Sequence, residues 1–313
     1  MSYTSLPLNQ LLVDHPVSFD LFLQYKNGQV AVFTKAGMHF SEQKRNELIN
    51  NRVEALYIRS DDEKKLLEYH ARTIHELLKN PEMRSDERAQ LLHSSIHDQM
   101  QHMFDGGISQ TAIIQSKEYI KSMVTEIVNN RVHTEALLKL TSRDFDTYSH
   151  CVNVAIYALA LGREIGLKEH ELVQLGAGAL LHDIGKSKID LRIINKPGRL
   201  TLDEFETIKN HPDLGYDILK MMGETDENIL NIVRHHHEKL DGSGYCKGLT
   251  KEQIELEIQI VTIADIFDAL STNRTYKQAE SHFTCFKTMK VTMKDQLDMK
   301  LVNKLILLMG KAA

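Results

Sequence analysis

Cysteine is scarce in this chain. Cys151, Cys246 and Cys285 are the only three, too few and too scattered for the disulfide framework of a secreted protein. No two of them have the spacing of a thiolate metal site. Long hydrophobic runs are also missing. No apolar stretch reaches the roughly 18 residues that a membrane span requires, so no membrane partner is expected. The opening segment MSYTSLPLNQ lacks a basic start followed by an apolar core, so no signal peptide is expected and the expected compartment is the cytoplasm. Positive charge is not in excess. The net charge of −5 argues against a nucleic-acid polymer as partner. With 42% hydrophobic and 26% charged residues, the composition is that of an ordinary globular protein. The 313 residues suit two domains of roughly 150 residues each. What is abundant is histidine, 16 residues, seven of them between His150 and His237.

The strand signals lie in the first 60 residues. Phe19 to Lys35 predicts two short strands around Asn27-Gly28, a dipeptide suited to a tight hairpin. A helix is predicted from Ser41, its N-cap, to Asn51, and a third strand over Val53 to Ile58. From Ser60 onward, Leu66, Leu67, Ile74, Leu77 and Leu78 recur at helical spacing. Pro81 interrupts the pattern, and Asp105-Gly106-Gly107 interrupts it again. Helices are then predicted over Ile120–Asn130, Val152–Ile165, Glu169–Leu181, Asp203–Asn210 and Asp226–His236. The expected architecture is mainly α: a small N-terminal α/β module with a helical connector, residues 1–105, then a helical domain, residues 106–313.

The chemistry concentrates in that second domain. In LLHDIGK, His182 offers an imidazole, and Asp183 offers two oxygens, enough to bridge two cations. His211 follows in NHPDLG, then His235, His236, His237 and Glu238 in RHHHEKLDGSGY. Upstream, Asp146 and His150 stand four residues apart, on one helix face. Asp265 lies in the apolar stretch IVTIADIFDAL, with Asp268 three residues later. A carboxylate in such surroundings calls for a cation or a strong donor. Imidazole and carboxylate together suit iron, manganese, zinc or nickel better than calcium or magnesium.

The ordered set of a histidine, HD-x-GK, HP, HHE-xx-DGSGY, AD-xx-DAL and R-x-YK resembles an HD-GYP domain, a branch of the HD phosphohydrolase superfamily. The resemblance spans about Ile108 to Ala313. It implies a helical bundle around two or three metals, with iron or manganese favoured, and hydrolysis of cyclic di-GMP to pGpG or GMP. Residue by residue, it implies metal ligation by His150, His182, Asp183, His211, His236, His237 and Asp265, with Asp183 as the bridge. Family members with three metals carry a glutamate four residues before the first histidine. Asp146 stands there, one methylene shorter, so it is the candidate ligand for a third metal and a count of two is preferred.

The resemblance also implies phosphate contacts from Lys186, three residues past His-Asp, and from Arg274 and Lys277. Thr275 replaces the proline usual between them. Asp241, Gly242, Gly244 and Tyr245 match the signature loop, with Tyr245 toward substrate. Cys246 stands where the family has proline and Leu240 where it often has tryptophan, so the Asp241–Leu249 loop is expected to be looser. No base or helix N-terminus is evident beside Cys246, so it is not expected to be a nucleophile. Two divalent ions about 3.5–4 Å apart would acidify water and neutralise the oxygens of a phosphodiester. Two other readings stay open: a cyclic di-GMP-binding scaffold with little turnover, and a hydrolase of another cyclic dinucleotide. His39, His70, His75, His93, His97 and His102 read as solvated helix histidines. The N-terminal module, or the Asp241–Leu249 loop, is the expected site of a protein partner.

Overall fold

A computed structural model describes residues 2–25, 28–141, 146–273 and 279–312. The chain divides into two compact units, Met1–Ser95 and Ile96–Ala313.

The first unit is built on β1 (Tyr3–Pro7), β2 (Leu21–Gln24), β3 (Val30–Thr34), α1 (Glu42–Asn50), β4 (Ala55–Arg59) and α2 (Glu63–Leu78). The sheet order is β1-β4-β2-β3, and every neighbouring pair is antiparallel. β2 and β3 form the expected hairpin, with Gly28 at φ +82° beside its turn; Asn27 lies outside the described residues. Ser41 caps α1 by accepting from Lys44 N at 3.4 Å. Leu6, Phe19, Leu21, Phe40, Leu56 and Ile58 form the buried core, and Leu66 packs against it from α2; the side chain of Leu67 is outside the described set. His70 corrects the expectation of solvated histidines. It is buried, because it lies one turn from both Leu66 and Ile74 on the inward face of α2.

α3 (Ser85–His102) spans the division between the units. After a wide turn at Met103–Gly107, with Gly106 at φ +105°, the second unit runs through α4 (Gln110–Asn129), α5 (Arg131–Leu140), α6 (Thr147–Glu164), α7 (Glu169–Leu181) and the short α8 (Leu191–Ile194). It continues with α9 (Leu202–Ile208), α10 (His211–Met221), α11 (Glu227–His235), α12 (Leu256–Ser271), α13 (His282–Val291) and α14 (Met299–Ala312). α6 is buried on all sides from Ser149 to Gly162, which makes it the central helix. α7, α12 and α14 pack on it, and α10 and α11 pack on each other. The fold is thus mainly α, a helical bundle preceded by a small α/β unit, as expected. Among the described residues no helix is long and apolar enough to cross a membrane.

One contact sets the geometry of the site. The turn after α7 contains Gly185, and α10 comes so close to it that a Cβ there would overlap the His211 carbonyl oxygen and Gly215 N. Only glycine permits that approach, and it brings His211 alongside Asp183.

Candidate metal centre

Five helices deliver the ligand-type residues. His150 sits in the first turn of α6; His182 and Asp183 follow the end of α7; His211 opens α10; His236 and His237 follow α11; and Asp265 comes from the middle of α12. His182, His211 and His236 are each positioned by the same device. Their Nδ1 atoms contact the carbonyl three residues back, Ala179 O at 2.7 Å, Ile208 O at 2.7 Å and Val233 O at 2.8 Å. Carbonyls at a helix end lack an N–H partner, and a carbonyl only accepts. Each Nδ1 therefore carries a proton, which leaves Nε2 as the nitrogen that can offer a lone pair to a cation.

These Nε2 atoms, and that of His150, face one another. His211 Nε2 lies 3.2 Å from His236 Nε2, and His182 Nε2 lies 3.2 Å from His150 Nε2. Asp183 stands between the two sets. Its Oδ1 is 3.2 Å from His211 Nε2, and its Oδ2 is 3.5 Å from both His150 Nε2 and His182 Nε2. Asp265 spans them on the other side, with Oδ1 3.3 Å from His150 Nε2 and Oδ2 3.6 Å from His237 Nδ1. Two groups of donor atoms result, His150-His182-Asp183 and His211-His236-His237, each clustered within 4.8 Å. Buried Asp183 Oδ1 has no hydrogen-bond partner. Opposed lone pairs and an unpaired buried carboxylate oxygen are destabilising until a cation lies between them. The donor set, imidazole and carboxylate without thiolate, fits a divalent transition metal.

The electrostatics are consistent with this. Burial raises the pKa of Asp183, but Lys186 and the histidines more than reverse it and hold the carboxyl well below its ordinary value. Asp265 is depressed in the same way, burial being outweighed by His150 and His237. Burial and neighbouring imidazoles keep His236 neutral, and burial also lowers His211 and His237. His150 goes the other way. Burial opposes its charging, yet Asp265 and Asp268 push it up to about 9, so a proton or a cation belongs at its Nε2.

Asp268, noted in the sequence but not assigned a role, proves central. It is fully buried and meets His150 Nδ1 at 2.7 Å and Asn153 Nδ2 at 2.9 Å. A carboxylate in this place fixes the tautomer and the aim of a ligating ring. Its three-residue offset from Asp265 was the only available signal.

The other anticipated residues are dispersed. Lys186 donates to Asp183 Oδ2 at 2.6 Å. Asp146 lies outside both donor groups and caps α6, accepting from Ser149 N at 2.7 Å and Ser149 Oγ at 2.6 Å. It also draws in His97 Nε2, 3.6 Å from its Oδ1, so His97 is not a free surface histidine. Arg274, Thr275 and Lys277 lie outside the described residues. Tyr245 stacks obliquely on His237, centroids 4.6 Å apart.

The Asp241–Leu249 loop, expected to be looser, is held at two of its backbone amides. Buried Glu238 accepts from Lys247 N at 2.6 Å and Leu249 N at 3.0 Å. A Cβ on Gly244 would stand 2.5 Å from Glu238 Cα, so glycine lets the loop lie against the turn that carries the histidines. Cys246 Sγ donates to Arg234 O at 3.2 Å, and burial, with Asp213, pushes its thiol up to about 11, a poor nucleophile.

A cavity of about 340 Å³ opens onto His237 and is lined by Phe205, Lys209, Lys239, Ser243, Tyr245 and Gln296. Sequence reasoning missed Phe205, Lys209 and Lys239, because isolated lysines and aromatics on helices carry no pattern.

Comparison with known proteins places these features. The sequence model of the HD domain family matches residues 122–301. The chain is 37% identical over 143 residues to the cyclic di-GMP phosphodiesterase PA4108 of Pseudomonas aeruginosa, covering 46% of this chain and 34% of that protein. It is 37% identical over 133 residues to the 3'3'-cGAMP-specific phosphodiesterase 3 of Vibrio cholerae, covering 42% of this chain and 29% of that protein. The chain thus spans about a third of the length of the curated relatives it matches. Among solved structures, Bd1817, an HDG"Y"P protein from Bdellovibrio bacteriovorus, aligns with a TM-score of 0.69 at 20% identity, over 99% of this chain and 100% of that one. That likeness is one of fold. More than half of the sequence lies in the match, and the chain belongs to the HD domain family.

Proposed function

We propose that the protein is a metal-dependent phosphodiesterase that hydrolyses cyclic di-GMP to pGpG, GMP or both in the cytoplasm. One observation carries the reading: Asp183 presents one oxygen to each of two imidazole groups, 3.2 Å from His211 Nε2 and 3.5 Å from His150 and His182 Nε2. His150, His182, Asp183, His211, His236, His237 and Asp265 would hold two divalent ions; the donor chemistry fits iron, manganese, zinc or nickel, and the family resemblance favours iron or manganese. When bound, such ions supply Lewis acidity toward a phosphodiester and water.

The chain's own residues account for the rest. Asp183 and Asp265 remain anionic and keep the seven donors around one centre. Asp268 holds the His150 tautomer through the 2.7 Å contact with Nδ1. Lys186, fixed at 2.6 Å on Asp183, places a positive charge at the edge of the site, where it orients a phosphate. Tyr245 walls the cavity beside His237. Arg274 and Lys277, by their sequence pattern, add phosphate contacts. Residues 1–105 would serve regulation or partner binding, and residues 106–313 the hydrolysis. The capping role of Asp146 supports two metals rather than three.

A second reading keeps the same site and changes the substrate to a hybrid cyclic dinucleotide, as the name of the Vibrio cholerae relative suggests. The test is metal-loaded turnover of cyclic di-GMP and 3'3'-cGAMP side by side, with product identification and elemental analysis. Cleavage of cyclic di-GMP with about two metals per chain is expected. Preference for the hybrid would select the second reading, and tight binding without product would make the protein a receptor.

A further inference from the structure

A cyclic dinucleotide carries two phosphates, and hydrolysis engages one at a time. The other must also be held, and it bears a full negative charge. Three described lysines surround the site, and they differ in what their ammonium groups already do. Lys186 is bound to Asp183 at 2.6 Å. Lys209 is paired with Glu206 at 2.9 Å, and its ammonium stands 5.7 Å from the ring centres of both Phe205 and Tyr245. Lys239 lines the cavity with His237, and its ammonium makes no hydrogen bond or ion pair with another described residue. It is anchored through its backbone, for Gly242 N donates to Lys239 O at 2.9 Å. It also follows the Glu238 side chain that fixes the loop. The stem is held, and the ammonium, although Asp265, Asp241 and Glu238 act on it through space, has no direct partner among the described residues.

The cavity supplies the remaining chemistry. Phe205 and Tyr245 offer two aromatic faces, linked by the Lys209 ammonium that contacts both, and faces of this kind accept a flat base. A volume of about 340 Å³ falls at the small end of ligand pockets. It suits part of a dinucleotide, with the remainder over the imidazoles.

We propose that Lys239 is a specificity-determining residue: it binds the phosphate of the dinucleotide that is not being cleaved, beside a base-binding wall formed by Phe205 and Tyr245. The inference rests on the phosphodiesterase reading, and it adds that the protein selects diesters that carry a second phosphate.

The test uses the whole 313-residue chain, metal-loaded, and two variants, Lys239→Met and Lys239→Arg. Two diesters are compared, cyclic di-GMP and bis(4-nitrophenyl) phosphate, which has a single phosphate. Inhibition of bis(4-nitrophenyl) phosphate cleavage by cyclic di-GMP is measured as well. For Lys239→Met, the KM for cyclic di-GMP and its inhibition constant should rise roughly tenfold to a hundredfold, the range of a charge-assisted contact. The KM for bis(4-nitrophenyl) phosphate should rise by less than about threefold, and Lys239→Arg should recover most of the loss. Metal content and melting temperature identify a variant that fails to fold, and Lys239→Gln, which removes the charge but stays polar, then takes the place of Lys239→Met with the same expected losses. Equal losses on both diesters, or none on cyclic di-GMP, would overturn the proposal while leaving the phosphodiesterase reading intact. Wild-type inhibition by cyclic di-GMP without its cleavage, weakened in Lys239→Met, would uphold the lysine's role and reject the phosphodiesterase reading. Absence of wild-type inhibition and cleavage would reject both.

Discussion

Asp268 lies 2.7 Å from His150 Nδ1 and leaves the His150 Nε2 atom facing Asp265 at 3.3 Å and Asp183 at 3.5 Å. The pair joins α12 to α6 through the middle of the bundle. It also decides which nitrogen of His150 is free to ligate.

Asp268→Ala should therefore weaken metal binding without removing a proposed ligand. Loss of such a supporting carboxylate typically costs tenfold to a hundredfold in metal affinity. Competition against a calibrated chelator measures it, and an affinity within about twofold of wild type would show that His150 needs no orientation from α12.

Gly185→Ala should push α10 off the turn after α7, because the new Cβ would meet the His211 carbonyl. Overpacking of this kind costs about 1–3 kcal/mol, seen as a lower melting temperature. His211 should leave Asp183, so elemental analysis should find a substantial loss of one metal. Full occupancy would mean that the helix pair yields without disturbing the site.

Asp183→Ala should abolish diester hydrolysis and lower metal content, since the buried Asp183 contacts both imidazole groups through separate oxygens, and closely, at 3.2 and 3.5 Å. Lys186→Ala should be milder, a loss of roughly tenfold to a hundredfold for one charged contact, with metal retained. Wild-type turnover in Asp183→Ala would eliminate the bridging role.

His97 gives a pH-dependent signature away from the metal ligands. The Asp146 carboxylate, and then Asp98, push its imidazole up to about 9. A raised pKa means that the contribution to stability is complete below the unfolded value of about 6.5 and is lost as pH rises through about 9. Imidazole resonances of His97 should titrate well above those of exposed histidines, and Asp146→Asn should bring the midpoint down. An unchanged midpoint in Asp146→Asn would assign the shift to another group.

Much of this was legible in the sequence because ligand-type residues are rare in apolar segments. His182-Asp183 ends a hydrophobic helix, and Asp265 interrupts another, so each stands out against its neighbours. α10 was not legible: Pro212 reads as a break, yet it sits in the first turn of that helix, where its missing N–H costs nothing. β1 was missed because its five residues gain their stability only by pairing with β4, far along the chain. The role of Asp268 depends on a partner 118 residues away, and no local pattern encodes that distance. Lys239 resembles any surface lysine until the cavity beside it is seen.

The Glu238 clasp has a consequence for how such chains are recognised. Its carboxylate grips the backbone amides of Lys247 and Leu249, and an amide is present whatever side chain the residue bears. The shape of the loop is thus written in a glutamate and a glycine, Glu238 and Gly244, and only weakly in the residue after Tyr245. Cysteine at position 246 is compatible with that shape, its thiol donating to Arg234 O at 3.2 Å. A tag that demands Gly-Tyr-Pro would discard proteins whose loop is intact. In this chain, the spacing from a buried glutamate to the amides it holds marks the loop where the proline does not.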